Sequence, residues 1–256
     1  MRIFGLTILV SLAITVVVGA QGFQQPRPQE NLDTVLGGWE KAMTDLQSFV
    51  AVVERTTLDK ALGARDQHKG YAMFLKALGK QDGTRARLEM AKVTNPKIFE
   101  KYLCTGTYLY EYAHGTKTVR VHTLPPNKQG GVQRESFLSF LFGMTSVQAK
   151  QRYDMTHIMP KTPDKYYHYI LVRPKLEQDK SDFQEARLCL YRSNNLPAQV
   201  WYLQANKNEI TWNFTKLQIN VNIPTKYFDP DLPGKDWRVE RVQPKPILQG
   251  RKVIRN

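Results

Sequence analysis

The chain has 256 residues, 41% of them hydrophobic and 11% aromatic, with 37 basic against 23 acidic side chains and a formal charge of +14. That length supports one sizeable domain, and the positive balance favours anionic neighbours such as lipid headgroups or envelope polymers. The five histidines and two cysteines stand at no metal-ligand spacing, and no G-x-S-x-G elbow, P-loop or dinucleotide glycine pattern occurs. The chain is therefore read as a non-enzyme with no metal and no cofactor.

Residues 1–20 form a secretory signal peptide: Met1-Arg2 is the short positive start, Ile3–Val18 is almost wholly apolar, and Val18-Gly19-Ala20 supplies small residues for cleavage. An uncleaved N-terminal anchor is the competing reading. Either implies a periplasmic or other extracytoplasmic location. Residues 21–31, with Pro26 and Pro28, read as an extended leader.

A helix is expected over residues 32–49. Leu32, Val35, Leu36, Trp39, Met43, Leu46 and Phe49 recur at three- and four-residue spacing, with Asn31 as N-cap and Asp33 in the first turn. Strand patterns follow at Phe49–Leu58, Gly70–Leu78 and Thr84–Val93, with Asp82-Gly83 as a turn. A further pair, Lys101–Tyr112 and Thr116–Leu124, is joined at His114-Gly115 and puts Tyr108, Tyr110 and Tyr112 on one face. Pro125-Pro126 and Gly130-Gly131 break the sheet. Gln133–Met144 then reads as a second helix, apolar nearly all round, which must lie under other structure or over a cavity.

Strands resume at Tyr153–Ile158, Tyr166–Val172, Glu185–Tyr191, Ala198–Leu203 and Glu209–Ile223. In the last of these, Ile210, Trp212 and Phe214 alternate with polar residues, and Leu217, Ile219, Val221 and Ile223 do so one step out of phase. The phase slip reads as a bulge, which bends and twists a sheet. Roughly ten strands and two helices result. They imply an α+β, mainly β fold in which one antiparallel sheet coils on itself.

Cys104 and Cys189 form either one bridge or two buried free thiols. The Asn213-Phe214-Thr215 sequon lies inside a strand and reads as accidental. The tyrosines follow strand periodicity and the chain carries an export signal, so nucleic acid is not an expected partner. The domain spans residues 32–240, and residues 241–256 form a tail with Lys245, Arg251, Lys252 and Arg255 as its marked basic end. A monomer is expected.

The order of these elements resembles the LolA-like family, periplasmic carriers of outer-membrane lipoproteins, over about residues 32–240. The family's helix running into a F-x-A strand is matched by Ser48-Phe49-Val50-Ala51, and its D-G-x-x-L/W-x-Y strand is similar to Thr105–Tyr112. The apolar segment Phe137–Met144 follows. Tyr227-Phe228-Asp229-Pro230-Asp231-Leu232-Pro233-Gly234 is similar to the family's closing motif, although its two aspartates replace apolar or neutral residues. The family's carriers hold their lid with an arginine near the third strand, where Arg85 and Arg87 stand here.

The resemblance implies an incomplete antiparallel barrel with helices packed in or across its mouth, enclosing an acyl chain. Each buried methylene contributes about 0.8 kcal/mol, so a long chain must be wholly enclosed to cross water. The candidate lining residues are Phe49, Phe74, Tyr110, Trp212 and Phe214, with Phe137, Leu141 and Met144 from the lid. The partners implied are lipid or lipoprotein acyl chains. The alternative is an interaction module with a filled core, whose basic surface and tail bind anionic envelope components, a membrane surface or a protein.

Overall fold

The structure is a computed structural model and describes residues 31–77, 83–124, 145–162, 164–231 and 234–242. The first element is α1 (Leu32–Asp45). The Asn31 side chain accepts a hydrogen bond from the Thr34 N–H at 2.8 Å, which caps the first turn as its position suggests. The helix is shorter than its apolar spacing implies. At Leu46 the backbone turns extended (ψ 116°), and Leu46 and Phe49 stay buried from a loop and a strand.

Twelve strands are found among the described residues: β1 (Ser48–Asp59), β2 (Ala64–Leu75), β3 (Arg85–Lys92), β4 (Asn95–Cys104), β5 (Tyr108–Ala113), β6 (Thr118–Thr123), β7 (Tyr153–Ile158), β8 (Tyr167–Pro174), β9 (Glu185–Tyr191), β10 (Pro197–Leu203), β11 (Glu209–Ile219) and β12 (Arg238–Val242). They form one sheet in the order β12-β6-β5-β4-β3-β2-β1-β11-β10-β9-β8-β7. The two ends of that order do not pair, so the sheet is an open, incomplete barrel. Its pairs are antiparallel except for β12, which runs parallel to β6.

Two short helices also appear among the described residues: α2 (Ser146–Arg152) and the single turn α3 (Glu177–Lys180). The expected helix Gln133–Met144 lies outside the described residues. Helix α2 has a sequence signal of its own, because Thr145 and Gln148 form a reciprocal capping box.

The segment Lys101–Tyr112, read as one strand, is two. It turns at Gly106, whose φ of +96° suits glycine, and a Cβ there would lie 2.7 Å from the Gly83 Cα. The crossing of two glycine backbones fixes this hairpin.

The bulge stands where the hydrophobic phase slips. Val52 pairs with Thr215 and Val50 with Gln218, so Ala51 faces both Lys216 and Leu217. Lys216 takes the left-handed conformation, φ +49°. The extra residue keeps Trp212, Phe214 and Leu217 on one face of the sheet.

Side chains alternate across that sheet, and each face is covered in a different place. On the α1 face, Val35, Leu36 and Trp39 pack with Tyr153, Ile170, Leu188, Leu190 and Val200. Farther along the same face, Leu46, Phe49, Ala51, Val53, Met90 and Leu196 form a second cluster under the end of α1. The opposite face carries Leu103, Tyr112, Val119 and Val121, covered by Ile223 and Phe228 of the segment that follows β11. That segment is a strap. It makes a 3-10 turn at Thr225–Phe228, places Trp237 6.3 Å from Phe99, and ends in β12.

Both cysteines are free. Cys104 on β4 and Cys189 on β9 lie six strand steps apart and point to opposite faces, as their pairings with Ala86 and Tyr169 show. In this structure the two thiols are unbridged.

Candidate apolar binding site

Four of the predicted lining residues come together on the α1 face. Phe49 and Phe74 are directly paired across β1 and β2, and their rings stack at 5.5 Å and 12°. Phe214 is paired with Val53 and Trp212 with Arg55, which places both aromatics on the face of Phe49. Trp212 and Phe214 bridge the two clusters of that face.

Met43 and Leu46, at the end of α1, close this row from above. The remaining opening is a pocket of about 30 Å³ lined by Met43, Leu46, Phe49, Leu196, Pro197, Phe214 and Leu217. Its lining is apolar throughout. Its volume is that of about one water in the liquid, an order of magnitude below a small-molecule site.

Tyr110 is elsewhere. It pairs with Leu103 and Val121 on the opposite face, where it packs edge-on to Tyr108 at 6.3 Å. The sheet itself separates it from Phe49. Phe137, Leu141 and Met144 lie outside the described residues.

A polar patch that the sequence reading did not single out borders the apolar row. Arg55 donates to Glu100 through both terminal nitrogens, at 2.7 and 2.6 Å, and lies 5.5 Å above the Trp212 ring. Burial works against the Arg55 charge, but Glu100 more than offsets it and holds the pKa above its ordinary value. His68, 5% exposed, places Nδ1 3.3 Å from Arg55. Arg55 and Glu100 are 45 positions apart, and only the register of β1 to β4 unites them. No local pattern could have found the pair.

The opposite face holds a second pocket, of about 450 Å³, lined by polar and charged groups that include Tyr71, Arg87, Glu89, Lys101 and Asp231. Arg87, one of the two arginines near the third strand, faces this pocket and donates to the Tyr227 carbonyl at 2.7 Å. In this structure it therefore secures the strap. Among the described residues, no group of three or more His, Cys, Asp or Glu side chains could hold a metal ion. No described helix is long and apolar enough to cross a membrane.

No protein-family model matches the sequence, and no curated protein matches it. Solved structures do resemble the fold. An uncharacterized conserved protein from Thermus thermophilus is 10% identical with a TM-score of 0.48, over 82% of this chain and 98% of that one. A MucA/MucB complex structure from Pseudomonas aeruginosa matches at 11% identity and a TM-score of 0.43, over 77% of this chain and 60% of that one. A LolA superfamily protein from Nitrosomonas europaea is 10% identical with a TM-score of 0.35, over 79% and 99% of the two chains. The likeness is one of architecture alone, and the ligand has to be read from this chain's own residues.

Proposed function

We propose that the protein is a non-catalytic binding protein of an extracytoplasmic compartment, which takes an acyl chain of a lipid or lipoprotein onto the α1 face. The observation that supports this most is the apolar pocket between Phe49, Phe214 and Leu217, which has no polar lining residue and opens under the end of α1. The half-buried Phe74 and Leu88 extend the apolar row along the same face.

At about 30 Å³ the pocket is too small for an acyl chain, so binding requires Met43 and Leu46 to lift. Uncovering two such side chains costs about 3–6 kcal/mol at 1.5–3 kcal/mol each. Burying methylenes at about 0.8 kcal/mol each offsets that cost after roughly four to eight of them. Long chains are therefore bound and short ones are not. The Lys76 ammonium donates to the Thr44 carbonyl at 2.6 Å and ties the end of α1 to the end of β2. It is one of the polar contacts there, beside the Gln47 N–H bond to Asn220 at 2.8 Å.

Native mass spectrometry of protein purified without detergent, then mixed with acylated peptides of increasing chain length, tests this reading. Binding should begin between roughly four and eight methylenes and strengthen with length. A ligand-free protein that ignores a sixteen-carbon acyl peptide (a length on the order of twice that threshold) contradicts it.

The small volume of the apolar pocket, about 30 Å³, favours a second reading: an interaction module with a filled core. Its partner would be a protein or an anionic envelope surface, met through the basic tail. Deleting residues 243–256 should then weaken retention on anionic vesicles at low salt. Unchanged retention would remove this reading.

A further inference from the structure

The polar pocket beneath the strap is built unlike a structural ion pair. Its two cations are sequestered, with Arg87 and Lys101 side chains 13% and 9% exposed, whereas Asp231 at its mouth is 66% exposed. Lys101 contacts Asp231 directly and Glu89 at 3.0 Å, and its ammonium lies 4.9 Å from the centre of the Tyr112 ring. Arg87 holds Glu89 through Nε at 2.9 Å and Nη2 at 2.5 Å, and stands 3.5 Å from Asp231. Tyr71 donates its hydroxyl to Glu89 from below.

We propose that this pocket is a binding site for a small organic monocarboxylate, and that the strap's Asp231 occupies its anion position in the present structure. Three features point to that chemistry. First, the charges count to one vacancy: Arg87 and Lys101 face Glu89 as a fixed counter-ion, so displacing Asp231 leaves one positive charge. Lys69 at the rim is already matched by Glu54 at 2.6 Å, and the Glu100 carboxylate turns to Arg55 on the other face of the sheet. A dianion such as phosphate would meet the Glu89 carboxylate at close range without a second free cation.

Second, the 450 Å³ of space is in the range of small-molecule sites. Phe99, Ala91 and the backbone of Gly70 line it beside the charges, so an organic body has an apolar surface to rest on. Third, Asp231 is held by its side chain at the mouth and by its carbonyl, which accepts from the Tyr112 hydroxyl at 2.9 Å. A competing carboxylate can replace the side chain while the backbone contact keeps the strap docked. This site is independent of the acyl site, which lies on the other face of the sheet.

Benzoate and inorganic phosphate, titrated into the full chain by NMR with the Lys101 side-chain signal and the ring signals of the adjoining Tyr112 followed, test the assignment. Asp231→Asn keeps the shape and removes the charge, so benzoate should bind it at least tenfold more tightly than the unsubstituted chain. Adding Lys101→Met should abolish that binding, and phosphate should bind more weakly than benzoate. In the unsubstituted chain benzoate must compete with Asp231, so a saturable shift at Lys101 is expected at higher concentration even if the Asp231→Asn variant fails to fold. No saturable benzoate shift in the unsubstituted chain, or tighter binding of phosphate than of benzoate, overturns the proposal.

Discussion

Phe49 is 7% exposed, stacks on Phe74 and lines the apolar pocket, so one side chain serves both core and candidate site. Truncating such a residue removes its transfer energy and leaves a hole. Phe49→Ala should cost about 3 kcal/mol, at the low end for a buried Phe because the pocket beside it is already open. Urea unfolding measures that cost, and a loss under about 1 kcal/mol would place Phe49 outside the core. Across the sheet, Glu89 gives a pH signature. Burial opposes its charge, yet hydrogen bonds from Tyr71, Lys101 and Arg87 hold its carboxyl below the ordinary 4.5. Asp231 is likewise lowered, chiefly by Lys101. A lowered folded-state pKa means that stability is fully present above the ordinary carboxylate range and is lost as pH falls through the folded value. Glu89→Gln should therefore destabilise the protein at about pH 7, and that difference should shrink as pH falls through the lowered carboxyl value; a loss that does not change with pH would show that the Glu89 charge is not its source.

At the scale of the element, β11 was the most legible part of the sequence. Its two apolar registers, ending in Phe214 and resuming at Leu217, form one wall because Lys216 supplies the bulge. A left-handed conformation costs a non-glycine residue roughly 1–2 kcal/mol. Lys216→Gly should thus raise stability by about 1 kcal/mol in thermal unfolding, and Lys216→Val should lower it; the reverse order would place the bulge elsewhere. The same strand also shows where reading stopped. Val221 and Ile223 continue the alternation, but the backbone turns at Asn220 (φ +53°), and Ile223 packs on the other face with Phe228. Periodicity cannot tell a continuing strand from a chain that crosses the sheet edge. Leu46 and Phe49 misled in the opposite direction, because they lie at helical spacing beyond the last turn of α1. The hairpin at Gly106 was hidden for a similar reason, since Tyr108, Tyr110 and Tyr112 read as the end of a longer strand. Arg55, His68 and Glu100 gave no signal, since strand register alone brings them together.

For the molecule as a whole, the open sheet presents two differently furnished faces. The α1 face is apolar at Phe49, Phe74, Phe214 and Leu217, with Arg55 and Glu100 at its border. The opposite face is bound to the C-terminal strap by Arg87, Lys101 and Tyr112. Tyr110 was grouped with the other aromatics by its residue type, and the twelve-strand order assigns it to the strap side. In the proposed reading one face would exchange an apolar ligand while the other holds the strap, whose β12 pairs with β6. It also predicts that freeing α1 leaves the strap untouched: Lys76→Met, which removes the tie to Thr44, should strengthen acyl binding several-fold with the Trp237 indole NMR signal unchanged. A change in both together would mean that the two faces are coupled. The most direct test of acyl binding on the α1 face is photolabelling with a long-chain acyl probe that carries a diazirine near its methyl end, followed by peptide mapping. Labels should fall on the peptides that contain Phe49, Phe74 and Phe214–Leu217; labels confined to Tyr110, Tyr112 and the strap, or none at all, would contradict the assignment.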